Sequence, residues 1–292
     1  MIDTFISAYH DLKGWSRARR KSIVCIFAIF FICGIGYSFA ALDLKLTELD
    51  AIALLAVACL VPASILFNGT ELQLCARVAN QHIGFGKALG YASMATIANL
   101  LPIPASILIR GGALVSSGAK IAQAGRILAA AAAMWLAMAV GISGYFLTAG
   151  WIAGGITILS AIMVIGIAFW IGQRSSVATA LSFIAVRAIM LLLLITRLYF
   201  CFIAINAAVA LEEAAIYSVA GIAGTAVAIV PAGLGIAEGF GALIAEAAGA
   251  DPAAAFLALG LNRILGLLGS GLVAGFFWFR VEQPDVSMSI SS

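Results

Sequence analysis

Long apolar stretches alternate with short polar connections along most of this chain. Windows apolar enough to cross a bilayer, which takes about 20 residues, occur near 22–42, 51–70, 127–148, 151–171, 179–207 and 254–279. We predict a full transmembrane helix in each of these six windows. Two further apolar stretches, 88–118 and 214–247, are interrupted near their middles by proline and glycine.

These interruptions are informative because they fall inside sequence apolar enough to be buried in a membrane. Non-helical backbone at membrane depth is tolerated only where protein or a water-filled cavity satisfies its polar groups. Both stretches are therefore predicted to form re-entrant helical hairpins, with a kinked full span as the alternative for each. The residues at the two hairpin breaks are Pro102, Pro104, Pro231, Gly233 and Gly235.

The spans repeat along the chain with an offset of 129 residues. The first span begins near 22 and the fourth near 151, and each precedes a break, Pro102 or Pro231, by 80 residues. Three crossings and one hairpin in each unit require the second unit to be inverted. The predicted fold is thus all-α and membrane-integral, an inverted repeat of about 22–148 and about 151–280. Inverted repeats with broken helices are typical of transporters, whose sites lie where the repeats meet.

Composition agrees with a membrane protein and excludes several other classes. Of 292 residues, 64% are hydrophobic and 10% are charged, and the mean hydropathy is +1.14, far above that of soluble domains. A net charge of +3 is too small and dispersed to predict nucleic-acid binding. The cysteines and histidines lack metal-ligand spacing, and there is no nucleotide-binding glycine loop. We therefore predict no cofactor and no metal.

Basic residues predict the orientation of the chain. Segment 1–21 combines apolar residues at helical spacing with a basic cluster, which indicates an amphipathic helix on the inner leaflet. Most other Lys and Arg residues then fall on the same side, as cytoplasmic loops require. A single membrane domain over 22–280 and a tail over 281–292 follow, with both termini in the cytoplasm.

Four charged residues occur inside apolar stretches, where an ionisable group is costly and usually faces a partner or cavity. Arg197 is the deepest, whereas Arg187 lies near enough to a span end for its side chain to reach the interface. Glu238 and Arg263 are predicted to pair. That pair either fixes the second hairpin or contacts a substrate.

Three polar residues complete the candidate site. Arg110 follows the first break by eight residues and acts either as a cytoplasmic anchor or as a phosphate contact. Asn99 and Asn262 either bridge free backbone groups at the breaks or contact a polar headgroup.

The pattern Asn99, Pro102, Arg110, then residues 231–238 with sequence PAGLGIAE, then Asn262-Arg263 resembles the flippase-like membrane domain of lysylphosphatidylglycerol synthases. The resemblance extends over about 20–280 and is closest to stand-alone relatives that lack the aminoacyl-transferase domain. It implies lipid transport without enzymatic activity. The same family includes proteins linked to polyprenyl-phosphate sugars and to hopanoid-type lipids.

The resemblance and the charges together predict a lipid translocase in the bacterial cytoplasmic (inner) membrane. Its substrate would be a phosphate-bearing, anionic lipid or polyprenyl-linked headgroup. The alternative is a non-transporting membrane subunit that scaffolds a lipid-modifying or glycosyltransferase enzyme as its partner. The oligomeric state stays open. The predicted substrate-binding residues are Arg110, Arg197, Glu238, Arg263, Asn99 and Asn262.

Overall fold

The computed structural model describes residues 25–99, 105–207, 209–226 and 235–281, and all regular structure in these ranges is helical. Besides a short 3-10 turn at Leu46–Glu48, the helices are α1 (Cys25–Ala41), α2 (Ala51–Val78), α3 (Phe85–Ala98), α4 (Ala105–Ser116), α5 (Ile121–Leu147), α6 (Gly150–Arg174), α7 (Val177–Ala204), α8 (Leu211–Ile216), α9 (Ser218–Ala226), α10 (Ile236–Ala247) and α11 (Pro252–Val281).

Five of these helices, α2, α5, α6, α7 and α11, are long and apolar enough to cross a membrane, which indicates a multi-pass membrane protein. Their outward surfaces are apolar as well, since Trp151, Leu159 and Ile165 on α6 are all well exposed. Exposed apolar surface of this extent is expected where lipid, rather than water, surrounds the protein. The prediction of an all-helical membrane fold is confirmed at this level.

The shorter helices occupy the places where the sequence predicts something other than a simple crossing. Helix α1 coincides with the predicted first span, of which residues 22–24 lie outside the described part. Helices α3 and α4 flank the first break, and α9 and α10 flank the second. The predicted segment 1–21, the tail from 282 onward and four break residues, Pro102, Pro104, Pro231 and Gly233, lie outside the described residues.

Helices α3 and α4 pack against each other, so the chain leaves this pair close to where it entered. The connection before α3 meets the one after α4: a Cβ at Gly118 would lie 2.8 Å from Oε1 of Gln81. Gly118 also has a φ of +109°, which L side chains rarely adopt. This turn is therefore available to glycine and to few other residues.

The second pair, α9 and α10, is also packed together. Its contact is close because Gly224 has no side chain: a Cβ there would lie 2.7 Å from the backbone Cα of Ala237. Small residues commonly allow membrane helices to approach in this way. The connections at the far ends of this unit share one apolar cluster, which includes Ile205, Ala214, Ala245 and Ala254.

The order of the helices follows the predicted repeat. Helix α2 begins at 51 and α7 at 177, α4 begins at 105 and α10 at 236, and α5 begins at 121 and α11 at 252. Contacts between elements repeat too, because α11 packs on α3 as α5 packs on α9, while the corresponding helices α2 and α7 pack on each other. Both broken units thereby reach the interior of one bundle.

Candidate functional site

A cavity of about 260 Å³ lies where the two broken units meet. It is lined by residues of α2 and α7, by the ends of α3 and α9 next to the breaks, by the start of α10, and by the middle of α11. One lining residue, Ser64, is near the middle of the 28-residue helix α2. The cavity thus lies deep along the long helices, in otherwise apolar surroundings.

Five of the six predicted site residues line this cavity. They come from distant parts of the sequence, yet the fold brings them together. Each of them belongs to a long helix or lies next to a break. These lining residues are Asn99, Arg197, Glu238, Asn262 and Arg263.

Glu238 and Arg263 form the predicted ion pair. Nε of Arg263 lies 2.7 Å from Oε1 of Glu238, whose side chain is completely buried. The other carboxylate oxygen, Oε2, accepts a hydrogen bond of 2.9 Å from the backbone N–H of Gly235. This second contact caps the start of α10, where a carboxylate also interacts favourably with the helix dipole.

Gly235 is the break residue that the structure describes, and its conformation explains why glycine stands there. Its φ is +77°, in the left-handed region that costs other residues about 1–2 kcal/mol. A Cβ at this position would also lie 2.6 Å from Cδ1 of Phe30 on α1. The turn into α10 therefore depends on glycine for both its backbone angle and its space.

Arg197 is 8% exposed and makes only neutral contacts within the described part of the chain. Nη2 donates to the backbone oxygen of Asn262 at 2.9 Å, and Nη1 donates to Oγ of Ser64 at 3.3 Å. Its guanidinium lies beside Gly266, where a Cβ would be 3.0 Å from Nη2. No described carboxylate lies within ion-pair distance of Arg197. Arg197 thus gives the cavity a positive charge without a bound counter-ion.

Arg110 does not line the cavity but belongs to a second charged group beside it. Nη1 of Arg110 is 3.2 Å from Oε1 of Glu71, and Nη2 donates to Oδ1 of Asn68 at 3.0 Å. The same Glu71 oxygen lies 2.7 Å from Nη2 of Arg187. Asn68 lines the cavity, so it connects Arg110 to the predicted site without placing the guanidinium inside it.

The structure changes the interpretation of Arg187, which the sequence allowed to reach the membrane surface. Its side chain is 7% exposed and turns inward to Glu71. It also donates to the backbone oxygen of Ala131 at 2.9 Å and lies 4.8 Å from the ring centre of Trp135. An arginine with a buried carboxylate partner gains more from that contact than from water at the interface.

Sequence reasoning missed Glu71, Asn68 and Ser64. All three lie on one face of α2, at positions i, i+4 and i+7, and this spacing was the available signal. Together they form a polar strip on α2, defined here as Ser64, Asn68 and Glu71. Through this strip α2 contacts Arg197, Arg110 and Arg187 in turn.

Among the described residues, no three His, Cys, Asp or Glu side chains are grouped so that they could hold a metal ion. The site can hold an anion by charge and hydrogen bonding. Neither a scan against models of protein families nor a search of curated proteins found a match to this chain.

Proposed function

We propose that this protein is a lipid translocase that moves a phosphate-bearing headgroup between leaflets through the cavity at Arg197. The observation that carries the proposal is a buried arginine facing a cavity deep in an apolar bundle, with no carboxylate partner among the described residues. Charged residues inside membrane segments usually mark the path of a substrate or ion. The lipid tails would stay in the bilayer while the headgroup crosses along the cavity.

In this proposal α1, α2, α5, α6, α7 and α11 are the six crossings, and the two broken pairs are re-entrant hairpins. Helices α3 and α4 have 14 and 12 residues, and α9 and α10 have 9 and 12. At about 1.5 Å per residue, none exceeds about 21 Å, which is less than the ~30 Å hydrocarbon core. The packing of each pair supports a path that enters and returns on one side.

Labelling from each side of the membrane tests this topology. In a cysteine-free background, His82→Cys and Lys120→Cys flank the first hairpin, while Ala210→Cys and Gly249→Cys flank the second. All four positions are exposed. We expect both members of a pair to react from the same side, and the two pairs to react from opposite sides. A pair whose members react from opposite sides identifies a full span and removes the inverted repeat.

Transport is tested with purified protein in vesicles that carry tail-labelled fluorescent lipids. A quencher added outside reports the lipid in the outer leaflet, so its second phase reports translocation. We expect wild-type protein to accelerate this phase and Arg197→Gln to reduce it at least tenfold. The control is Arg126→Gln, which removes the same charge from an exposed position on α5.

Two results would contradict the proposal. One is an unchanged rate for Arg197→Gln in protein that remains folded. The other is a purified wild-type protein that moves no lipid of any headgroup. The second result, combined with a co-purifying lipid-modifying or glycosyltransferase enzyme, would support the scaffold function instead.

A further inference from the structure

We propose that the cavity selects a compact headgroup with one net negative charge, such as a phosphodiester that carries hydroxyl groups, and discriminates against cationic headgroups and large diphosphate-linked sugars. This inference rests on the proposed function, because it takes the cavity as the headgroup site. It goes further by assigning the charge, size and hydrogen-bonding groups of the substrate.

The sign of the charge follows from Arg197. Within the described ranges its contacts are with a hydroxyl and a backbone oxygen, and its Nε atom has no partner. A guanidinium kept from water needs a negative partner, because transfer of an unpaired charge into a low-dielectric interior is expensive. A phosphate oxygen near Arg197 would supply both the missing charge and an acceptor for a short hydrogen bond.

The magnitude of the charge follows from Glu238, the only carboxylate in the described lining of the cavity. This carboxylate is completely buried, neutralised by Arg263 at 2.7 Å, and held by the backbone of Gly235. It is therefore engaged with the protein and is a poor partner for a cationic headgroup. The lining charges of Arg197, Arg263 and Glu238 leave a single positive charge, which one phosphodiester matches.

The neutral lining residues indicate what accompanies the phosphate. Oδ1 of Asn262 is buried and has no hydrogen-bond partner among the residues described. Buried polar atoms are normally paired, so a donor from the ligand fits this position. Thr96, Asn68 and Asn99 add further polar groups to the same wall. A headgroup with hydroxyl groups satisfies these atoms, whereas a methyl group in its place would not.

The volume limits the size of the headgroup. The cavity encloses about 260 Å³, which lies below the ~300–1,000 Å³ of pockets that enclose drug-sized ligands. One phosphodiester with a three-carbon head fits a space of this order. A sugar joined through two phosphates is larger and brings at least one further negative charge. The cavity thus favours the phospholipid over the polyprenyl-linked substrate.

Binding and transport measured side by side test this inference. Binding is read as the shift in the unfolding temperature of purified protein, since a ligand that binds only the folded state stabilises it. The probes share identical tails and carry glycerol, methyl, ethanolamine or lysyl-glycerol phosphodiester heads, with a polyprenyl-diphosphate sugar as the large head. We expect the glycerol head to bind at least tenfold more tightly than the ethanolamine, lysyl-glycerol and diphosphate-sugar heads, and severalfold more tightly than the methyl head.

Variants separate the role of Arg197 from general damage. We expect Arg197→Gln to abolish the stabilisation by the glycerol head, Arg197→Lys to keep part of it, and the control Arg126→Gln to keep it in full. If Arg197→Gln does not fold, Gly266→Ala serves in its place. A Cβ there would lie 3.0 Å from Nη2 of Arg197 and displace the guanidinium without changing the charge, so we expect severalfold weaker selection of the glycerol head.

The outcomes distinguish this inference from the proposed function. Equal translocation and equal binding of all heads would keep the translocase and overturn the selectivity. Selective binding of the glycerol head without translocation would keep the selectivity and overturn the translocase. Tighter binding of the lysyl-glycerol or the diphosphate head would overturn the inference. Soluble glycerophosphoglycerol, if it stabilised the protein as well as the lipid at equal concentration, would overturn the assignment to a lipid headgroup.

Discussion

Replacing Glu71 with glutamine is expected to destabilise the protein strongly, because two buried arginines share one oxygen of this carboxylate. Oε1 lies 2.7 Å from Nη2 of Arg187 and 3.2 Å from Nη1 of Arg110. The side chain of Glu71 is 2% exposed, so water replaces little of what is lost. Glutamine keeps the shape and one oxygen but removes the negative charge, and the two guanidinium groups then repel each other.

The distances set the scale of the effect. With an effective dielectric constant of about 20, the attraction is about 6 kcal/mol for Arg187 and about 5 kcal/mol for Arg110. Repulsion between the arginines and the removal of all three groups from water oppose these attractions. Removal of one partner from a buried ion pair costs ~3–5 kcal/mol in proteins, and we expect Glu71→Gln to fall in that range.

The free energy of unfolding in mixed micelles titrated with a denaturing detergent measures this change. The matched control is Glu246→Gln, which removes an exposed carboxylate of α10 and should change the stability by less than ~0.5 kcal/mol. Arg187→Met keeps the apolar stem beside Trp135 and removes one of the two cations. We expect the double variant Glu71→Gln/Arg187→Met to be more stable than Glu71→Gln alone.

Two results would refute this reasoning. If Glu71→Gln resembled its control, the carboxylate would contribute no net stability. If the effects of Glu71→Gln and Arg187→Met simply added, with a coupling energy below ~0.5 kcal/mol, the two residues would not interact energetically.

Three further substitutions test individual contacts in the same unfolding assay. Gly235→Ala should cost more than ~1–2 kcal/mol, because it combines a left-handed φ with a clash against Phe30; an unchanged stability would mean that the turn relaxes freely. Ser143→Ala removes the 3.1 Å hydrogen bond to the backbone of Ala215 and should cost about 1 kcal/mol, and a neutral result would show that this contact between α5 and α8 is not needed. Asp50→Ala removes the side-chain cap of α2 and should cost ~1 kcal/mol, whereas Asp50→Asn should retain most of that stability.

The helix order could be predicted from the sequence because apolar stretches, breaks and short connections are local features. The windows near 127–148 and 151–171 correspond to α5 and α6, which begin at 121 and 150. The pairing of Glu238 with Arg263 was also predictable. Two opposite charges on neighbouring apolar segments have few other partners, and a hairpin returns one segment beside the next.

Glu71 was not predicted because hydropathy alone ends the second span at residue 70. The helix in fact continues to Val78, since Glu71 is neutralised by arginines from other helices and its burial is no longer prohibitive. Its partner Arg187 is 116 residues away in the sequence. A contact over that separation depends on how α2 packs against α7, which no local pattern specifies.

The polar strip on α2 makes this helix the common support of both charged groups. Ser64 contacts Arg197 on α7, Asn68 contacts Arg110 on α4, and Glu71 contacts both Arg110 and Arg187. The contact of Glu71 with Arg110 is the longer, at 3.2 Å against 2.7 Å, and Arg110 is the more exposed, at 17% against 7%. Movement of the first broken pair against α2 would therefore separate Arg110 from the strip while Arg187 still neutralised Glu71. The fold thus allows α4 to move at the cost of one ion pair, while α2 and α7 stay joined.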